Sequence, residues 1–177
     1  MKLIKLTALP LLFTAVILAF ASCEPDAEVK RTTDFQKTSI VMSGAQQAPA
    51  NASAAIGSMD VSYSKETRTL VYKITWSGLT DSVSAVRIHG LAPTGYATAS
   101  VAQYIVGPTT PVAPIFPQKT SGKFTYAKSG TLSGTLLVDG TVIKEADLLN
   151  GMYYMNIYSN AAAYSAAGEI RGQIKFQ

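Results

Sequence analysis

The sequence predicts an all-β domain built as an antiparallel β-sandwich, and three observations predict it. Through most of the chain, apolar residues recur with a period of two rather than 3.6. About eight such runs follow one another at short intervals, separated by Gly-, Pro-, Ser- and Asp-containing turns. Only Lys144 to Asn150 has a helical look, and Gly151 stops it.

The N-terminal residues stand apart from this pattern. Lys2 and Lys5 precede an uncharged stretch from Leu6 to Ala21, interrupted by Pro10. That stretch is shorter than the roughly 20 apolar residues needed to cross a bilayer. A basic start, a short apolar core and small residues at its end make a secretory signal. Phe20-Ala21-Ser22-Cys23 resembles the bacterial lipobox, with Phe20 where leucine is usual. The resemblance implies cleavage before Cys23 and acylation of that residue, the only cysteine in the chain. At about 0.8 kcal/mol per buried methylene, several palmitate-like chains would hold the mature protein on its membrane. Glu24 to Gln36 is polar and mixed in charge, as a solvated tether would be. Acidic residues just behind the cysteine also resemble the surface-export signals of Bacteroidetes lipoproteins. The expected organisation is therefore residues 1–22 as signal peptide, 23–36 as lipidated cysteine and flexible tether, and 37–177 as one folded domain.

Within that domain, Ser58 to Ser64 places Met59, Val61 and Tyr63 on one face. Lys65-Glu66-Thr67-Arg68 makes a turn, and Thr69 to Trp76 then places Leu70, Tyr72, Ile74 and Trp76 on one face, completing a hairpin. Further strands fit Val83 to His89, Ala99 to Val106, Gly122 to Ala127, Gly130 to Val138, Met152 to Ser159 and Glu169 to Phe176. Pro108, Pro111, Pro114 and Pro117 make Gly107 to Pro117 a surface loop. The doubled Ser-Gly-Thr-Leu of Ser129 to Leu136 reflects strand alternation rather than a solenoid repeat.

The inventory for chemistry is small. Without the signal peptide, thirteen basic residues face eleven acidic ones, too mild and too scattered a charge for a nucleic-acid partner. His89 is the only histidine, so the usual zinc and copper ligand sets are out of reach, and no glycine-rich phosphate loop or Gly-x-Ser-x-Gly elbow is present. Nothing in the sequence calls for a cofactor. Alternation puts Val86 and Ile88 on one face of their strand and Arg87 and His89 on the other, toward solvent or a groove. Such a pair serves solubility or forms a polar binding spot. Near the C-terminus, Tyr154, Asn156 and Tyr158 share one face while Tyr153, Met155 and Ile157 suit the core. Glu169 and Arg171, two apart on the last strand, suit a salt bridge with each other or across strands. Asp81-Ser82-Val83 resembles the Asp-Ser/Thr-apolar acceptor of Bacteroidetes O-glycosylation, with Ser82 as the acceptor.

Three blocks together resemble the CHRD domain, named after chordin. Ser43-Gly44-Ala45-Gln46-Gln47-Ala48-Pro49 resembles its opening block, with Gln47-Ala48-Pro49 where Glu-Val-Pro is usual. Thr69 to Leu79 followed by Ile88-His89-Gly90 resembles the central strand pair and its histidine motif. Gly151 to Ile157 followed by Gly168-Glu169-Ile170-Arg171-Gly172-Gln173-Ile174 resembles the closing block. The resemblance implies an extracellular Greek-key sandwich of immunoglobulin-like or Cu/Zn superoxide-dismutase-like topology, and implies little about activity. The family commonly has His-Ile-His where this chain has Arg87-Ile88-His89, and commonly a histidine where it has Tyr158. Any metal site built on those histidines is therefore expected to be lost.

The functional expectation is a non-enzymatic binding or structural module of the cell envelope. It would be an outer-membrane lipoprotein, on the periplasmic face or the cell surface, anchored through Cys23 and meeting a protein or glycan. Contacts are expected from Arg87, His89, Asn156 and Tyr158, from the loops Gly90 to Thr98 and Gly107 to Pro117, and from Tyr96 and Tyr164. The alternative is an extracytoplasmic enzyme, hydrolytic or redox, with His89 as general base.

Overall fold

A computed structural model describes residues 33–97, 99–106, 119–121 and 127–176. The expected signal peptide, Cys23, most of the tether, the Gly107 to Pro117 loop and all but the last residue of the Gly122 to Ala127 strand lie outside them.

Where period two is strict, the expected strands form. β2 (Ile56–Ser64) and β3 (Thr69–Ser77) make the predicted antiparallel hairpin, pairing Met59 with Ile74, Val61 with Tyr72 and Tyr63 with Leu70. These side chains and Trp76 are buried, while Lys73 and Val71 on the opposite face are exposed. The remaining strands are β4 (Val83–Gly90), β5 (Val101–Val106), β6 (Lys119–Ser121), β7 (Gly130–Leu137), β8 (Tyr153–Ser159) and β9 (Ile170–Gln173). The expected helical turn is α1 (Glu145–Leu149), preceded by a tight turn in which Asp139 Oδ1 accepts from the Val142 and Ile143 N–H groups. Tyr63 donates to Glu145 at 2.8 Å, tying α1 to the end of β2.

Two strands were not anticipated. The short β6 precedes the expected Gly122 to Ala127 strand. β1 (Asp34–Ser43) begins inside the segment expected to be tether. Its period is hidden by a bulge, because register slips between Lys37 and Ile40. There Ser39 has a positive φ of 57° and its N–H donates to Asp60 Oδ1 at 2.8 Å. Phe35 holds the start of the strand down, stacking on Tyr63 and meeting Phe176 edge-on.

The strands form one antiparallel sheet in the order β5-β4-β8-β9-β1-β2-β3-β7-β6. β9 and β1 share a single residue pair, Arg171 with Ser43. The sheet curls at this junction, leaving β5-β4-β8-β9 as one layer and β1-β2-β3-β7-β6 as the other. The chain changes layer between β3 and β4, between β5 and β6, and between β7 and β8. One apolar core lies between the layers, bringing Val86, Ile88, Ile105, Ile157 and Ile170 together with Met42, Val61, Ile74 and Leu136. The fold is thus the expected all-β sandwich.

Candidate functional site

The face of the β5-β4-β8-β9 layer that points away from the core carries the polar residues singled out in the sequence. Cross-strand register sets Tyr104, Arg87, Asn156 and Arg171 in one row, and Val101, His89, Tyr154 and Gln173 in a row beside it. Alternation therefore assigned Arg87, His89, Asn156 and Tyr158 to one face correctly, and strand pairing brings them together.

Their exposure is the correction. This face is not open to solvent: His89 is 2% exposed and Asn156 and Tyr158 are each 1% exposed, with Arg87 half-buried. All seven residues of β8 are buried, so both of its faces are covered. The cover is the chain between β4 and β5, which folds back over the face and is fastened there by side chains from below. Arg171 donates to the carbonyls of Tyr96 and Pro93, and Gln173 donates to that of Ala92. The Tyr154 hydroxyl accepts from the Ala99 N–H at 3.0 Å. Asn156 meets two further segments, accepting from Gln47 Nε2 at 2.7 Å and donating to the Ala167 carbonyl at 3.1 Å. A buried polar group without partners is costly, and these bonds to the covering chain are what allow the face to be roofed.

His89 sits at the centre. Its Nδ1 lies 2.8 Å from the Ala99 carbonyl, which can only accept, so Nδ1 carries the proton. Nε2 is then a lone pair, and the Tyr158 hydroxyl donates to it at 2.8 Å. The imidazole stacks on Tyr154, and the Arg171 guanidinium lies 3.5 Å from the centre of that tyrosine ring. Burial lowers the His89 pKa; the Ala99 carbonyl opposes this, and the charges of Arg87 and Arg171 add to the lowering. The ring is therefore neutral at neutral pH. Burial raises the Tyr158 pKa, with Arg87 acting in the other direction.

The salt bridge expected of Glu169 and Arg171, with each other or across strands, is absent among the described residues. Glu169 Oε1 instead accepts from Ser53 Oγ, the Thr80 N–H and Thr80 Oγ1, each at 2.8 Å, stapling two loops to the entry of β9. Burial opposes its ionisation, but the neighbouring Ser159 hydroxyl and the groups of Thr80 and Ser53 outweigh it, and its pKa is lowered. Oε2 and Ser159 Oγ nevertheless have no partner at hydrogen-bond geometry. A loop-closing role for Glu169 and a clamping role for Arg171 and Gln173 escaped the sequence reading. The available hint was a charged residue, an arginine and a glutamine spaced by two among apolar neighbours at the end of the chain.

Three segments distant in sequence meet at this face: Gln47, His89, and the pair Asn156 and Arg171. A family model for the CHRD domain matches residues 38–174. The chain belongs to the CHRD domain family. Comparison with curated proteins and with solved structures gave no match. The matched span runs from within β1 to just beyond β9, so the CHRD domain is the sandwich itself.

Positions 87, 89 and 158 of this CHRD domain converge, yet the groups there do not suit a metal. The Arg87 guanidinium carbon lies 4.4 Å from the centre of the Tyr158 ring, and the only imidazole lone pair is already engaged by the Tyr158 hydroxyl. Among the described residues no three His, Cys, Asp or Glu side chains come together as a ligand set. Outside the face, Ser82 is half-buried between β3 and β4, its hydroxyl accepting from Asn160 Nδ2 at 2.9 Å. Tyr164 is half-buried in the β8–β9 loop. Tyr96 and Leu91, by contrast, stand 67% and 51% exposed on the covering chain.

Proposed function

We propose that the chain is an extracytoplasmic CHRD lipoprotein, acylated at Cys23, which acts as a non-enzymatic binding module for a protein or glycan through the loop at residues 91–97. One observation carries this reading. Arg171, Gln173, Tyr154 and His89 hold the covering chain from beneath by its backbone, while Leu91 and Tyr96 point outward. A loop ordered before it meets a partner loses less conformational entropy on binding. The sole imidazole has both nitrogens engaged under that loop, which favours a scaffold role for His89 over that of general base. The lipobox resemblance supports the anchor.

The test uses the full chain in intact cells and in detergent extracts. Release of domain peptides by external protease would place it on the cell surface, and protection until lysis would place it inside the envelope. Cys23→Ala should abolish incorporation of a clickable palmitate analogue and release the protein from membranes. The Leu91→Ser, Tyr96→Ala double variant should stay folded and lose partners captured from envelope or host extracts. Capture unchanged by that variant would rule out the loop.

A further inference from the structure

The two arginines of the roofed face stand in the same cross-strand row, separated by Asn156, and are treated differently. Strand spacing puts their Cα atoms about 10 Å apart. The guanidinium of Arg171 is satisfied: it donates to the Tyr96 and Pro93 carbonyls and to Gln173 Oε1, and it lies on the Tyr154 ring. That of Arg87 is not. It lies between Tyr158 and Tyr104, 4.4 and 5.4 Å from the ring centres, and its Nε is buried without an acceptor.

Among the described residues no carboxylate forms an ion pair with it. From Ser82 to Val138 the sequence contains no aspartate or glutamate, and none lies between Leu148 and Gly168. Those two runs supply β4 itself and both strands beside it. Glu169 is committed to Ser53 and Thr80, and Asp81 to the Ser82 N–H. The ion pair found among the described residues, Lys65 with Glu145, belongs to the other layer. Cation–π contact engages the faces of the rings and the plane of the guanidinium and supplies no acceptor to its edge, where Nε is the buried donor without a partner.

We propose that Arg87 is the receptor for a carboxylate group of the bound ligand. A carboxylate is planar and singly charged, and takes a bidentate pair of N–H donors from one guanidinium. A phosphate dianion would call for a second open cation, and Arg171 is already spent. Tyr158 is the platform under Arg87, and the hydrogen bond it donates to His89 fixes the position of its ring. His89 is thus a positioning residue here, through Tyr158. The proposal rests on the binding-module reading but uses residues other than Leu91 and Tyr96, so either can fail while the other stands.

The experiment is a titration of the full chain in non-ionic detergent, with arginine labelled at 15Nε. The sequence has four arginines, Arg31, Arg68, Arg87 and Arg171, so the Nε–H spectrum is simple to assign with single variants. Sodium acetate is added against sodium chloride of equal ionic strength. The Arg87 signal should shift saturably with acetate and not with chloride, while the other three stay within the salt control. Tyr158→Phe, which keeps the ring, should weaken the response only a few-fold, whereas Arg87→Lys, which keeps the charge but loses the fork, should weaken it by about tenfold or more. The wild-type titration decides the matter even where a variant fails to fold. No saturable shift, or the same shift with chloride, would mean charge screening only and would overturn the proposal.

Discussion

The two layers of the sandwich have outer faces of opposite character. On the β1-β2-β3-β7-β6 layer the outward residues include Ser58, Ser62, Lys73, Thr75, Thr131 and Thr135, and they meet water. On the β5-β4-β8-β9 layer the outward residues are Arg87, His89, Tyr154, Asn156, Arg171 and Gln173, and loops cover them. Both faces read as polar in an alternating strand. The polar groups of the first need no protein partners, since solvent supplies them. The second draws its partners from the protein, with the Arg87 Nε left over, and its residues are long, specific and joined in a network. Polarity in a strand therefore identifies the side away from the core, and says nothing about whether that side is wet.

Substitutions can set the two faces against each other. The largest effect is expected from Arg171→Ala, which strips the Tyr96 and Pro93 carbonyls of their donor and unfastens the roof. It should cost about 3–5 kcal/mol in denaturant unfolding, with hydrogen exchange rising first in residues 91–97. If exchange rose uniformly, the roof would not be a separate unit.

Acid should act next, and its first effect should fall on the covered face. The folded pKa of His89 lies below its ordinary value of 6.5, so the unfolded chain takes up the proton first. The stability contributed by the neutral ring is complete above pH 6.5 and declines as pH falls below it. Protonation would add a third cation beside Arg87 and Arg171 and give Nε2 a hydrogen where it now accepts. Glu169, Glu145 and Asp139, whose folded pKa values are also lowered, together give a separate loss only below their ordinary values of 4.5, 4.5 and 3.8. A pH series of urea melts should show both steps, and His89→Gln should remove the upper one. An upper step that persisted in that variant would assign it to another group.

Smaller still is Tyr158→Phe, which removes one buried hydrogen bond and keeps the ring under Arg87; it should cost about 1 kcal/mol. On the open face, Lys73→Ala should change stability by no more than about 0.5 kcal/mol in either direction. A loss there as large as for Tyr158→Phe would erase the distinction between the faces.

The hairpin of β2 and β3, the strand character of β4, β7 and β8, and the turn at α1 could all be read from sequence, because each depends on neighbours a few residues away. β1 escaped because a bulge at Ser39 offsets its period and places its two halves out of phase. In the site, the shared face of Arg87 with His89, and of Asn156 with Tyr158, was legible from alternation within each strand. Their convergence required β4 to pair with β8 across the intervening strands and loops. The salt bridge expected of Glu169 and Arg171, with each other or across strands, did not form because spacing brings two charges to one face but cannot show that nearer hydroxyl, N–H and carbonyl partners take each of them.

The sequence by itself determined the class of fold, the inward side of most strands and the membership of a family. These follow from side-chain period and local turn chemistry, which act over a few residues. Only the tertiary structure decided that the polar side of one layer is roofed, that its single histidine is a neutral, fully engaged strut, and that one arginine is satisfied while the other is not. Burial and hydrogen-bond partnership depend on where distant loops come to rest, and that is a property of the packed chain.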